Sequence, residues 1–275
     1  MYYYVLKDII KNTGGRILPD LNEILDRMKT LSVEAGYEIL RHYARETEVE
    51  YKKDNSPVTS ADKAANDIIV RGLEGSFAHI PVLAEESADD LSRLQSKYIF
   101  VVDPLDGTRE YVKKNNEFTV NIAFVENGRP VAGVIYVPVY KELYYALKGR
   151  GAYSVIDGRE KRIRVSERTE NIRLAKSRSH HAPELEEVIE KNGIKNIIVA
   201  GSAYKGCLLA RGDVEVYYRF GRTMEWDTAA MEILITEAGG IFSGMDGRVF
   251  RYNKENPENP CGFYALNRPE NRLKV

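Results

Sequence analysis

Apolar residues recur at helical spacing across residues 21–44, where Leu21, Ile24, Leu25, Met28, Ile39 and Leu40 trace one face of a long amphipathic helix. Ala65, Ile68, Ile69 and Leu73 form a second such face after Thr59-Ser60-Ala61-Asp62, a variant capping box with Asp in place of Glu. The period then changes. Residues 98–102, Tyr-Ile-Phe-Val-Val, are β-branched and aromatic without polar alternation, which predicts a strand covered on both faces, and residues 81–84 make a shorter run of the same kind. Strands at 118–125 and 131–137 flank Asn127-Gly128, a hairpin signal, and residues 143–146 continue the meander. Helices feeding an antiparallel sheet predict an α+β first half.

The second half alternates differently: helix 183–191, strand 197–200, helix 203–211, strand 214–218 and helix 228–238, closed by Gly239-Gly240. That order predicts layered α/β structure. A last hairpin is expected around Met245-Asp246-Gly247-Arg248, between Ile241-Phe242 and Val249-Phe250. The polar junction at 158–166 suggests two subdomains, 1–160 and 161–275, with 1–20 as an extension. Its Tyr2-Tyr3-Tyr4-Val5-Leu6 run fits a short strand, an added helix or a packing arm.

Composition narrows the class. With 275 residues, 43% of them hydrophobic and 29% charged, the chain can build substantial cores. A net charge of −1 offers no basic field for a nucleic-acid polymer. Cys207 and Cys261 make no disulfide framework, and with neither a signal peptide nor a membrane-spanning run visible, the expected compartment is the cytoplasm.

Candidate chemistry sits where strands end. Asp103-Pro104-Leu105-Asp106-Gly107-Thr108 follows the apolar run at 98–102, so two carboxylates emerge from a buried strand. Pro104 is expected to help stop that strand, Gly107 to allow close approach of a ligand, and Thr108 to cap a short helix whose amides face an anion. An ordinary strand-ending turn would use the same residue types. Glu85-Glu86 follow another short apolar run, and Asp227 precedes the helix at 228–238, where it could be an N-cap, a metal ligand or both. Glu85, Asp103, Asp106 and Asp227 together supply the all-oxygen shell that magnesium prefers. Asp62 adds a fifth carboxylate beside its capping role.

Four segments in this order resemble the magnesium-dependent, lithium-sensitive inositol monophosphatase superfamily, and within it the 3'(2'),5'-bisphosphate nucleotidases of the CysQ type. They are Asn55-Ser56-Pro57-Val58-Thr59-Ser60-Ala61-Asp62, Ala84-Glu85-Glu86-Ser87, the segment beginning at Asp103, and Glu225-Trp226-Asp227-Thr228-Ala229-Ala230, spanning roughly residues 20–267. The resemblance implies a five-layer αβαβα sandwich and two or three magnesium ions bound by Glu85, Asp103, Asp106, Asp227 and the Leu105 carbonyl. It also implies that Asp62 and Thr108 activate water, that Gly107 and Thr108 amides hold phosphate, and that Glu86 supports the ligands from behind. Ala175-Lys176-Ser177-Arg178-Ser179-His180 resembles the nucleotidase Ser-Arg-Ser-His motif, and Gly201-Ser202-Ala203-Tyr204-Lys205 a Gly-Ser segment followed by a substrate-binding lysine. Arg178, His180, Ser202, Lys205, Arg219 and Asp227 therefore become candidate substrate ligands. Arg219 stands where inositol monophosphatases tend to carry a glutamate, and a guanidinium suits a doubly phosphorylated ligand.

The implied reaction is hydrolysis of the 3'-phosphate of adenosine 3',5'-bisphosphate (PAP) to AMP, with its sulfated analogue PAPS as a further candidate and a role in sulfur metabolism. Alternatives are an inositol monophosphatase, a sugar-phosphate phosphatase acting on fructose 1,6-bisphosphate, and a non-catalytic nucleotide or metal sensor. The expected partner is a small phosphorylated molecule, and the expected assembly a monomer or homodimer. Rival chemistries lack their signatures: Cys207 and Arg211 are misspaced for a thiol phosphatase, and Asp103 and Asp106 for an aspartyl-phosphate enzyme. No Walker loop or GxGxxG occurs.

Overall fold

The computed structural model describes residues 20–44, 49–51 and 57–275; the tyrosine run at 2–6 and Asn55-Ser56 of the first motif lie outside them. Helix α1 (Leu21–Tyr43) starts at Asp20, whose carboxylate accepts the Asn22 amide at 3.0 Å. A short antiparallel ribbon of β1 (Val49–Tyr51) and β2 (Pro57–Thr59) leads into α2 (Ser60–Ser76). The predicted capping box is present, with Thr59 as the cap and Asp62 three residues on.

Seven strands follow in one sheet, ordered as in the chain: β3 (Val82–Ala84), β4 (Tyr98–Asp106), β5 (Thr119–Glu126), β6 (Arg129–Val137), β7 (Glu142–Leu147), β8 (Gly151–Ile156) and β9 (Arg159–Ile163). Asn127 and Gly128, with φ of 50° and 74°, form the two-residue turn between β5 and β6. The sheet is mixed rather than wholly antiparallel, because β3 runs parallel to β4. The last strand, β9, runs past position 160 to Ile163.

Strand alternation sorts the side chains into layers. Phe100, Val102, Val120, Ile122 and Phe124 face α1 and α2, while Ile99, Val101, Ala123 and Val125 face the opposite way, toward the second half of the chain. Burying each large side chain contributes about 1.5–3 kcal/mol.

The second half supplies the remaining layers. A five-stranded sheet has the order β11-β10-β12-β16-β14, from β10 (Arg173–Ser177), β11 (Asn196–Ala200), β12 (Val216–Arg219), β14 (Ile241–Gly244) and β16 (Phe263–Leu266). Between the two sheets lie α5 (Tyr204–Ala210) and α6 (Glu225–Glu237), and α4 (Pro183–Lys191) covers the outer face of the second sheet. The predicted five-layer sandwich is the observed one. Gly133 on β6 lets α6 lie directly on the first sheet, since a Cβ there would meet Ile233 Cγ2 at 2.4 Å.

Two local expectations are corrected. Helix α6 begins at Glu225, so Met224 is the N-cap and Asp227, in the first turn, caps from inside the helix by accepting the Met224 amide at 2.7 Å. The turn at residues 244–248 forms, but β14 pairs with β16, and Val249-Phe250 make no strand. A minor antiparallel ribbon pairs β13 (Thr223–Met224) with β15 (Glu258–Asn259). No helix among the described residues is long and apolar enough to cross a membrane.

Candidate metal and phosphate site

Pro104 does not end β4. Three steps along β4, from Asp103 to Asp106, oppose two along β5, from Asn121 to Thr119, so the strand carries one extra residue at this point. Proline, lacking an amide hydrogen, is suited to such an irregularity. Leu105 turns into the helix-covered core, whereas Asp106 comes back to the side that Asp103 already faces. A regular strand would place residues three apart on opposite faces.

Asp227 reaches the same point from α6. Oxygens of Asp103, Asp106 and Asp227 all lie within 4.8 Å of one another. The Asp103 carboxylate is fully buried and also accepts the Leu105 amide at 3.1 Å. Burial, then the charges of Glu85, Asp106 and Asp227, push its pKa far up. Burial likewise raises Asp106, against the pull of Lys205 and of the Ala203 amide, and lifts Asp227 to about 8 with Asp106 adding to the effect. Three carboxylates crowded in this way are stabilised together by a divalent cation, and their all-oxygen donor set matches magnesium. Glu85, just beyond β3, faces the same cavity and contributes to the field on Asp103.

Asp62 stands beside this cluster in both its roles. Its Oδ2 accepts the Thr59 amide at 2.8 Å and the Thr59 hydroxyl at 2.6 Å, which closes the helix cap. Its Oδ1 accepts the Thr108 hydroxyl at 3.1 Å. Burial raises the Asp62 pKa against those hydrogen bonds, and the charge of Glu86 raises it further. Thr108 is the first residue of the five-residue helix α3 (Thr108–Val112), preceded by left-handed Gly107, so its hydroxyl is not the helix cap. It points to Asp62 and, at 3.4 Å, to the Leu105 carbonyl.

Across a cavity of about 210 Å³ the charge changes sign. Lys205, 3% exposed, donates to the Ser202 carbonyl at 2.6 Å, and burial lowers its pKa to about 8 against the pull of Asp106 and Glu110. Arg219 at the end of β12, Arg109 on α3 and His180 line the same space. Burial, then Arg219 and Arg109, hold the His180 imidazole down to about 4, which keeps it neutral near pH 7.

A sequence profile described as the inositol monophosphatase family matches residues 20–266. The chain belongs to that family. Among curated relatives, the 3'(2'),5'-bisphosphate nucleotidase CysQ of Salmonella typhimurium is 40% identical over 245 residues, covering 87% of this chain and 98% of its own. The Buchnera aphidicola protein of the same name is 39% identical, covering 88% and 93%. Among solved structures, CysQ from Bacteroides thetaiotaomicron aligns with a TM-score of 0.77 at 38% identity, covering 88% of this chain and 97% of that one. An IMPase from Thermotoga maritima reaches the same TM-score at 27% identity, covering 89% and 92%.

Within this inositol monophosphatase-family fold, the described residues bring Glu85, Asp106, Gly107, Thr108, His180, Ser202, Lys205, Arg219 and Asp227 to one cavity, with Asp103 buried at its base. Arg178 is not among the lining residues; it pairs with Glu117. Sequence reasoning missed Glu110, Arg109, Tyr217, Met231 and Phe263 in the lining. It also missed Asn121 and Thr119, which donate to Asp106 Oδ2 at 3.3 and 3.5 Å. Asn121 did carry a signal, as the one amide in the apolar run of β5.

Proposed function

We propose that the chain is a magnesium-dependent 3'(2'),5'-bisphosphate nucleotidase that hydrolyses the 3'-phosphate of adenosine 3',5'-bisphosphate to AMP and inorganic phosphate, and that also accepts the sulfated analogue. The observation that carries this reading is the pairing of a carboxylate wall with a cationic one. Glu85, Asp103, Asp106 and Asp227 would hold two or three ions at the scissile phosphate, while Lys205, Arg219 and Arg109 favour a ligand with further negative charge. Relatives near 40% identity named as nucleotidases support the same choice over the inositol phosphatases that share the fold.

Bound magnesium would polarise the phosphoryl group and lower the pKa of a coordinated water. The chain's own groups then handle the proton. Thr108 donates its hydroxyl hydrogen to Asp62, so its oxygen is free to accept from an attacking water, and the proton passes through it to the Asp62 carboxylate. The water oxygen bonds to phosphorus as the bond to the ribose 3'-oxygen breaks, and that oxygen takes up a proton from solvent to become the 3'-hydroxyl of AMP, with no covalent phosphoenzyme.

Phosphate release from adenosine 3',5'-bisphosphate, inositol 1-phosphate, fructose 1,6-bisphosphate and NADP, each with magnesium and with EDTA, tests the reading. Magnesium-dependent turnover greatest on the first is expected. Preference for inositol 1-phosphate would overturn the nucleotidase assignment, and turnover of none would favour a sensor.

A further inference from the structure

Arg178 lies in a segment that the sequence assigns to substrate, yet its guanidinium is turned away from the cavity lining and onto Glu117. Nε donates to Glu117 Oε2 at 2.7 Å and Nη2 to Oε1 at 2.8 Å, a planar two-point pairing that sets direction as well as distance. Nη2 also donates to the Val199 carbonyl at 3.1 Å, and the Arg178 amide to the Ala200 carbonyl at 3.2 Å. Arg178 thus grips the end of β11, and Glu117 belongs to the approach to β5 in the other sheet.

The residues after β11 depend on this junction. Glu117 Oε2 accepts the Gly201 amide at 2.8 Å. A Cβ on Gly201 would lie 2.6 Å from the Glu117 carbonyl oxygen and 2.5 Å from Glu110 Cγ, so this backbone passes closer than any other residue allows. Ser202 follows with φ of 45°, a left-handed conformation that persists only where the surroundings over-determine it. Its carbonyl receives Lys205 Nζ at 2.6 Å, and the next amide, of Ala203, donates to Asp106 Oδ2 at 2.6 Å.

We propose that Arg178 and Glu117 form a clamp across the seam between the two sheets, which fixes residues 201–205 and thereby sets the Lys205 ammonium and the Ala203 amide against Asp106. Both are positioning residues. Neither touches the substrate, and each acts only through the loop that Glu117 holds. The proposal rests on the nucleotidase reading only for the choice of assay substrate.

Steady-state kinetics with magnesium on adenosine 3',5'-bisphosphate and on 3'-AMP, which lacks the second phosphate, would compare the wild type, Arg178→Ala, Glu117→Gln and the double variant. Each single change is expected to lower kcat on the order of tenfold to a hundredfold, by a similar factor on both substrates, as misplacement of a reactive group does. The double variant should lose no more than the worse single one, since both break one clamp. Arg178→Lys, which keeps one contact, should recover part of the rate and stands in if Arg178→Ala does not fold. A loss confined to the bisphosphate and expressed in KM, with Glu117→Gln near wild type, would make Arg178 a substrate ligand and overturn the clamp. Losses that multiply in the double variant would overturn it equally. Should the wild type release phosphate from neither nucleotide, the nucleotidase reading fails on its own, and the same set of proteins on inositol 1-phosphate tests the clamp unchanged.

Discussion

The two walls of the cavity are built to different standards. The carboxylate wall stands on secondary structure: Asp103 and Asp106 on β4, Asp227 in the first turn of α6 and Asp62 in the first turn of α2. The cationic wall uses shorter pieces, with Arg109 on the five-residue α3, Lys205 on the seven-residue α5, Arg219 closing the four-residue β12, and His180 on the connection after β10. Carboxylates that must converge on one point demand the longer, stiffer supports, while the residues across the cavity sit on pieces more easily retuned. A solved CysQ and a solved IMPase each align with this chain at a TM-score of 0.77.

The largest break in the contrast should come from Asp106→Asn. It removes one charge of the metal cluster at nearly constant volume, and turnover should fall on the order of a thousandfold or more, since the lost stabilisation is several kcal/mol. The metal-free variant should also melt higher than wild type in EDTA, because one repelling charge is gone. Activity near wild type would remove the metal assignment. On the opposite wall, Arg219→Glu should lower kcat/KM for adenosine 3',5'-bisphosphate by roughly tenfold to a hundredfold, the worth of one charged hydrogen-bonded contact, and 3'-AMP by less. Equal losses on both substrates would show that Arg219 does not read the second phosphate.

A subtler test uses pH. Asp227 is raised from 3.8 to about 8, with Asp103 and Asp106 raised alongside it, so folding favours their protonated forms. The contribution of Asp227 to stability is complete below about 3.8 and is lost as pH rises through about 8, and Asp103 and Asp106 act in the same direction. In EDTA the melting temperature should therefore fall across that window, and magnesium should flatten the fall. A metal-free curve that rises throughout would contradict the crowded-carboxylate geometry. The smallest effect is expected from Thr59→Ala, which deletes the cap and one hydrogen bond to Asp62. Chemical denaturation should show a loss of about 1 kcal/mol, with kcat lowered severalfold.

The carboxylate wall was legible in the sequence because Glu85, Asp103 and Asp106 follow apolar runs whose ends could be counted, Asp227 heads a helical apolar pattern, and Thr59-Ser60-Ala61-Asp62 is a local capping pattern. What escaped is long-range. The partner of β14 is β16, about twenty residues beyond the turn that was expected to close a hairpin, and only the layer packing selects it. Helix α6 begins earlier than its apolar spacing shows, because Glu225 is buried and its carboxylate caps the Asn253 and Lys254 amides at 2.7 and 2.9 Å. Arg178 reads like any phosphate-seeking arginine until Glu117, sixty-one positions away, is seen to hold it.

The extra residue in β4 turns spacing into a constraint of its own. Because the strand steps out of phase between its two aspartates, the sequence must place them three apart, not two, for both carboxylates to face the same point. Remove either Pro104 or Leu105 and a strand without the step would need to form, keeping the acids on one face but pulling the following glycine and threonine back by one residue. The signature is thus a measured length of chain, and its proline and leucine are as much a part of the carboxylate cluster's architecture as the acids they separate.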